Sequence, residues 1–452
     1  MKFLKNPIYL LLALTVLFSA CKKDDDDNAD LDGQLEDALT TASNGVGPSF
    51  YTIPSSDQLA QIPQDPKNPL TSEKVALGKL LYHETGLGIT PLVLENEAQF
   101  SCASCHFASA GFQANRFQGI SEGGQGFGIN GEGRVRIPGF DENLMDVQPL
   151  RTPSAMNTAY QEVMLWNGQF GATGMNAGTE ANWTPETPIE TNTLGYQGLE
   201  TQAIAGLKVH RMDVDALPSV IDDLGYKDMF DAAFDDFPES ERYSRETTGL
   251  AIAAFERTLL ANQAPFQKYL RGDNNAMSEQ EKRGALLFFA DAGCASCHNG
   301  PSLANMEFHA IGLKDLNDCP EDVFKTPDND AAHRGRGSFT KNSADDYKFK
   351  VPQLYNLNDS PFYGHGASLR SVRAIVEYKN EAVSENPDVP AGQIAADFQP
   401  LGLSDSDIND LVAFLETALY DPNLMRYQPE SLPSGNCFPF NDPIAREDLG
   451  CN

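Results

Sequence analysis

The sequence predicts a mainly α protein of two helical modules joined by long loops. Serine-led capping boxes precede apolar residues at helical spacing. A pentapeptide occurs twice, at 102–106 and 294–298. Strand-like alternation is sparse, and 37 Gly with 28 Pro favour loops between helices.

Taken in order, the chain opens on Lys2 and Lys5, a short apolar run from Ile8 to Leu17, and Leu17-Phe18-Ser19-Ala20 before Cys21. An apolar run this short with a positive flank reads as an export signal rather than a spanning helix. Small residues before a cysteine resemble a bacterial lipoprotein cleavage site, although Phe18 replaces the usual Leu, Val or Ile; residues 1–21 are expected to be a leader, with Cys21 lipidated. Lys22-Lys23 and Asp24 to Asp27 then begin a polar stretch, and 22–48 is expected to be an acidic flexible tether. It is similar to the stretch after the lipidated cysteine in surface lipoproteins of some Gram-negative bacteria. The implied location is the cell envelope, with an outer-membrane lipid anchor facing periplasm or cell surface.

Beyond the tether, Ile252, Phe255 and Leu259 follow helical spacing. Ser278-Glu279-Gln280-Glu281 caps a helix running through Leu286, Leu287 and Phe288. Val372, Ile375, Val376 and Lys379 share one helical face, and Ser404 to Asp407 opens a helix marked by Ile408, Leu411, Val412, Leu415 and Leu419. The polar turn Arg271-Gly272-Asp273-Asn274-Asn275 divides the modules, giving 49–272, 273–428 and a loop-rich tail at 429–452. Hydrophobic residues at 41% allow a packed core. A formal charge of −31 argues against nucleic-acid binding and permits a positively charged protein partner.

The repeated pentapeptide is Cys102-Ala103-Ser104-Cys105-His106 and Cys294-Ala295-Ser296-Cys297-His298. C-x-x-C-H is the attachment site of c-type haem: two thiols bond the porphyrin and the adjacent histidine ligates iron. Chance supplies roughly 0.002 such motifs in a chain of this composition. A zinc ribbon needs no adjacent histidine, and a thioredoxin-like motif needs no second copy. Two covalent haems are therefore expected, held by Cys102, Cys105, Cys294 and Cys297, with His106 and His298 as iron ligands.

The chain resembles the bacterial dihaem cytochrome c peroxidase family, including the dihaem enzymes that mature methylamine dehydrogenase. The resemblance runs from about Leu70 to Tyr420. It rests on Leu77-Gly78-Lys79, Ser101 to His106, Arg151-Thr152-Pro153-Ser154, Trp166-Asn167-Gly168, Leu199-Glu200-Thr201-Gln202-Ala203, Ala253 to Leu259, Gly293 to His298, Phe349-Lys350-Val351-Pro352 and Gly364-His365-Gly366. It implies two cytochrome c-like helical haem domains. The first haem meets hydrogen peroxide, and the second takes electrons from a small soluble donor, a cytochrome c or a cupredoxin. Glu200 is implied as the acid–base group over the first haem, and Trp166 matches the family's W-D-G tryptophan. A calcium ion between domains is implied near Ser360-Pro361, and a homodimer is compatible with the resemblance. The alternatives are a maturation-type oxidase acting on a protein, or a dihaem electron-transfer cytochrome without turnover.

Departures from the family pattern are informative. No histidine lies between His106 and His210, so the first haem is expected to be five-coordinate or water-bound. The helix after Leu369 holds no methionine; Tyr378 or Lys379 occupies the place of the second haem's sixth ligand, with Met306 and His309 as rivals. His83, His210 and His333 have no motif around them and read as ordinary polar residues, whereas His365 sits in a matched block. Cys319, Cys437 and Cys451 remain. Cys437–Cys451 is the favoured pair, with Cys319–Cys437 as its rival.

Overall fold

The computed structural model describes residues 24–451, so the leader and Cys21 lie outside the described residues. Helices and short 3₁₀ turns dominate, as the mainly α expectation requires. The described strands form two antiparallel pairs: Gly124–Gln125 with Val135–Arg136, and Phe308–His309 with Phe349–Lys350. The helices that position the site are α1 (Asp24–Ala42), α2 (Ser72–His83), α3 (Gly198–Val209), α4 (Arg245–Glu256), α5 (Glu279–Phe289), α6 (Val372–Glu381), α7 (Asp405–Ala413) and α8 (Pro443–Leu449).

The expected tether over 22–48 is corrected by α1. Leu35, Ala38 and Leu39 recur at three- and four-residue spacing and are buried, and the helix packs on α5. Lys282 of α5 reaches Asp32 at 2.7 Å. An apolar stripe among the acidic residues gives this segment a surface to bury, which an overall polar composition conceals.

Each haem motif belongs to a module built on one helix crossing. In the first, α2 crosses α4; in the second, α5 crosses α7. Side-chain caps open all four: Thr71 accepts from Lys74 N, and Ser244, Ser278 and Ser404 form capping boxes with Thr247, Glu281 and Asp407. A glycine sits at each crossing. A β-carbon on Gly78 would lie 1.8 Å from Ala251 O, and one on Gly284 would lie 1.9 Å from Asp410 O. The next obstacles are also equivalent, Phe255 Cβ and Phe414 Cβ.

A second repeat follows each crossing's haem loop. Asn157 and Asn356 both adopt left-handed backbone and open a short 3₁₀ turn. Each chain then doubles back across an isolated bridge, Met164 to Phe170 in one module and Tyr363 to Leu369 in the other. Pro153 corresponds to Pro352, and Trp166 to His365, at one constant spacing along the chain. The modules thus repeat in backbone path while sharing few residue identities.

The tail returns to the first module. Cys437 and Cys451 form a disulfide with Cα atoms 6.0 Å apart, while Cys319 is unpaired beside Glu321 and Arg370. Ser104 of the first haem motif donates to Pro439 O at 2.6 Å. Arg134 pairs with Asp442 at 2.6 Å, both side chains being 3% exposed. Among the described residues no helix is long and apolar enough to cross a membrane.

Candidate active site

Both pentapeptides open onto one cavity of about 620 Å³, lined by Cys102, Cys105 and His106 at one end and Cys294, Cys297 and His298 at the other. The four cysteines are unpaired. Nδ1 of His106 faces Phe112 O at 3.1 Å, and Nδ1 of His298 faces Leu303 O at 3.0 Å. A carbonyl only accepts, so each Nδ1 carries the hydrogen and each Nε2 keeps its lone pair for a metal. Burial pushes both imidazoles down to about 4, with the charges of His210 and Lys379 respectively adding to the effect. Both are held neutral at physiological pH, the form in which an imidazole can bind a metal.

Two buried cations complete the cavity. Arg151 and Lys350 hold equivalent places in the repeat and both line the space. Arg151 donates to Gln113 Oε1 at 2.6 Å and to Ser360 Oγ at 3.0 Å, but its Nε has no partner. Lys350 donates to Gln161 Oε1. Burial lowers these groups to about 10 and about 8. Together they offer the positive charge that haem carboxylates require, so the donor set and the orphaned guanidinium nitrogen both fit two c-type haems.

Between the two ends, Trp166 and His365 meet edge to face with centroids 6.3 Å apart, and His365 stacks on Phe349 at 3.6 Å. Trp166 Nε1 donates to Arg151 O at 2.8 Å, and His365 Nε2 lies 3.1 Å from Asp315 Oδ1. The repeat therefore brings its own counterpart residues into contact where the modules meet.

The structure does not bring Glu200 to the cavity. Gln202, Ala203, Gly206, Val209 and His210 line it, and a residue two positions from Gln202 points about 200° around the helix. Glu200 instead accepts two bonds from Arg257, at 2.8 and 2.7 Å, in a pair that is essentially unexposed. Tyr378 is corrected in the same way: its hydroxyl donates to Ile311 O, and it does not line the cavity. The neighbouring Lys379 does, with Nζ 5.3 Å from the Phe398 ring centre. Burial lowers the pKa of its amine, against the opposing pull of Cys297 and Cys294. Met306 accepts from Glu162 N away from the lining, whereas His309 lines the cavity with Nε2 3.7 Å from Cys297 Sγ. Around Ser360 the expected calcium meets the Arg151 guanidinium, the wrong charge for a cation site.

Two cavity groups escape a motif-based reading. Burial, and then the Glu200 charge, raises Glu256 to about 8, leaving a neutral carboxyl whose Oε2 has no partner. His210 ends the α3 face with Nδ1 2.9 Å from Asp146 Oδ2. Counting from Gln202 in helical steps of four places His210 on the cavity face, and that was the available signal.

A family model for di-haem cytochrome c peroxidase matches residues 72–275. The chain is 31% identical over 363 residues to the methylamine utilization protein MauG of Methylorubrum extorquens, covering 80% of this chain and 82% of that one. The chain belongs to the di-haem cytochrome c peroxidase family. Family membership makes it an oxidoreductase and implies two c-type haems. The cytochrome c peroxidase Ccp of Escherichia coli is 28% identical, over 92% of this chain and 72% of its own. Among solved structures, a MauG-like protein associated with microbial copper homeostasis superposes with a TM-score of 0.59 at 21% identity, covering 82% of this chain and 96% of that one. The diheme peroxidase BthA of Burkholderia thailandensis gives 0.52 at 17% identity, covering 81% and 90%. These structural likenesses support the fold of the di-haem family.

Proposed function

We propose that this protein reduces hydrogen peroxide to water, drawing two electrons one at a time from a small soluble cytochrome c or cupredoxin. The supporting observation is the single cavity shared by both C-x-x-C-H motifs, with Trp166 and His365 in contact between its ends. Bound haem would supply electron storage and a site for peroxide. The chain's own residues do the rest. His106 and His298 present neutral Nε2 atoms, and Arg151 and Lys350 neutralise carboxylates. Trp166 and His365 fill the gap between modules and exclude water from it. Lys379 would be the side chain to reach the second haem's iron: it lines the cavity, and burial lowers the pKa of its amine, easing the loss of a proton that ligation needs. Domain 49–272 would then host peroxide and domain 273–428 would receive electrons.

The leader and Cys21 support export and lipid anchoring. Expressed with its leader, the protein is expected in the membrane fraction with two haems by intact mass. Purified, it should consume one peroxide for every two reduced cytochromes oxidised, and Lys379→Ala should change the spectrum of the second haem alone. A single haem, or donor oxidation that ignores peroxide, contradicts the reading. A second reading, oxidation of a partner protein, is favoured by the 31% identity to MauG. It predicts peroxide consumption that needs a protein substrate in place of the small donor.

A further inference from the structure

We propose that His210, oriented by Asp146, is the group that moves the peroxide proton in the first module, an inference that rests on the peroxide-reducing reading above. His210 lines the cavity on the same α3 face as Gln202 and Gly206. A β-carbon on Gly206 would meet nothing within 4 Å, so this face looks onto open space. His106 lines the same cavity, so the two imidazoles share one space.

The partners of His210 leave one nitrogen for chemistry. Nδ1 is committed to Asp146, whose side chain is 5% exposed and is also bonded by Ser121. Nε2 is left for the cavity. Burial lowers the imidazole's pKa, but Asp146 outweighs it and holds the group above its ordinary value. The other titratable groups facing it are Arg211, itself paired with Glu122, and the neutral His106. This is a carboxylate-oriented imidazole on the cavity wall, the arrangement of a general acid–base group.

The other candidates lack one requirement each. The Gln202 amide does not titrate. Glu200 is locked to Arg257 outside the cavity lining. Glu256 stands by Cys102 and by Tyr82, whose hydroxyl holds His106 O, and so belongs to the attachment side.

The step balances with the groups named. His210 Nε2 would take a proton from one oxygen of H₂O₂ and deliver it to the other oxygen. The O–O bond breaks, and that second oxygen departs as water with the bonding pair. The first oxygen would end as a second water, with two electrons drawn from the soluble donor and two protons from solvent, so that H₂O₂ + 2e⁻ + 2H⁺ gives 2H₂O.

The test compares wild type, His210→Gln and Asp146→Asn as haem-loaded proteins, by intact mass, ferric spin state, cyanide affinity and stopped-flow reaction with peroxide. His210→Gln is expected to keep two haems and a high-spin first haem, while its peroxide reaction slows by roughly 10²–10⁴. Cyanide should bind more weakly, because the proton released by HCN loses its acceptor. Asp146→Asn should show a smaller loss in both. A two-haem His210→Gln protein with wild-type peroxide rate overturns the proposal and leaves the peroxidase reading standing. A low-spin first haem that becomes high-spin in His210→Gln also overturns it, by making His210 an iron ligand. Should His210→Gln fail to load haem, Asp146→Asn decides: wild-type rate and cyanide affinity there overturn the proposal. A wild type inert to peroxide overturns both readings.

Discussion

Arg257→Met is expected to destabilise the haem-loaded protein by about 3–5 kcal/mol, the range for breaking a buried ion pair from one side. Arg257 is 1% exposed and Glu200 is 0% exposed, so the substitution strands a carboxylate where water cannot reach it. Arg257 also ties in Pro63 O and Gln197 Oε1, both at 3.0 Å, so the entry to α3 loosens as well. Adding Glu200→Leu removes the stranded charge and should recover much of the loss, since apolar replacement of a whole buried pair is often neutral. Denaturant unfolding measures both. Peroxide turnover per folded molecule should stay near wild type, because neither side chain lines the cavity. If Glu200→Gln abolishes turnover in a stable, fully loaded protein, then Glu200 does chemistry and the helix-face reading is wrong.

Gly284→Ala is expected to dismantle the second module. Its β-carbon would lie 1.9 Å from a backbone carbonyl of α7, and a main-chain atom cannot rotate aside as a flexible side chain would. The helices must separate, which opens the Phe266, Phe288, Phe289 and Phe414 cluster packed at the crossing. The cost should reach or exceed the upper end of the ~1–3 kcal/mol typical of overpacking. Haem loading at Cys294 and Cys297 should fall while Cys102 and Cys105 still load, as intact mass and tryptic haem peptides report. Gly392→Ala is the control, since a β-carbon there meets nothing within 4 Å.

These variants also mark where the sequence is legible. The pentapeptides and the capping boxes at Ser278 and Ser404 can be read directly, because covalent chemistry and helix starts each require particular residue types at fixed spacing. The repeat of the modules cannot. What recurs is a close crossing at Gly78 and Gly284, a left-handed Asn, and a doubled-back loop carrying Trp166 or His365; backbone path is conserved between the halves while identities are free to differ. Glu200 shows the opposite failure: a matching motif names the right helix but leaves its rotation undetermined, and about half a turn's difference exchanges a cavity group for a buried ion pair. His210 is hidden for the same reason, since its partner Asp146 is 64 residues away in the chain. The helix α1 is hidden by composition, its three buried apolar residues lying among acids.

The central claim is that two haems on one cavity act together as a two-electron unit toward peroxide. Anaerobic titration of the fully reduced protein with hydrogen peroxide, followed in the visible spectrum, tests it most directly. Two reduced haems hold the two electrons that H₂O₂ + 2e⁻ + 2H⁺ → 2H₂O requires, so both haem bands should be lost together, with an endpoint of about one peroxide per protein. Oxidation of one haem while the other stays reduced at that endpoint, or no reaction, would contradict it.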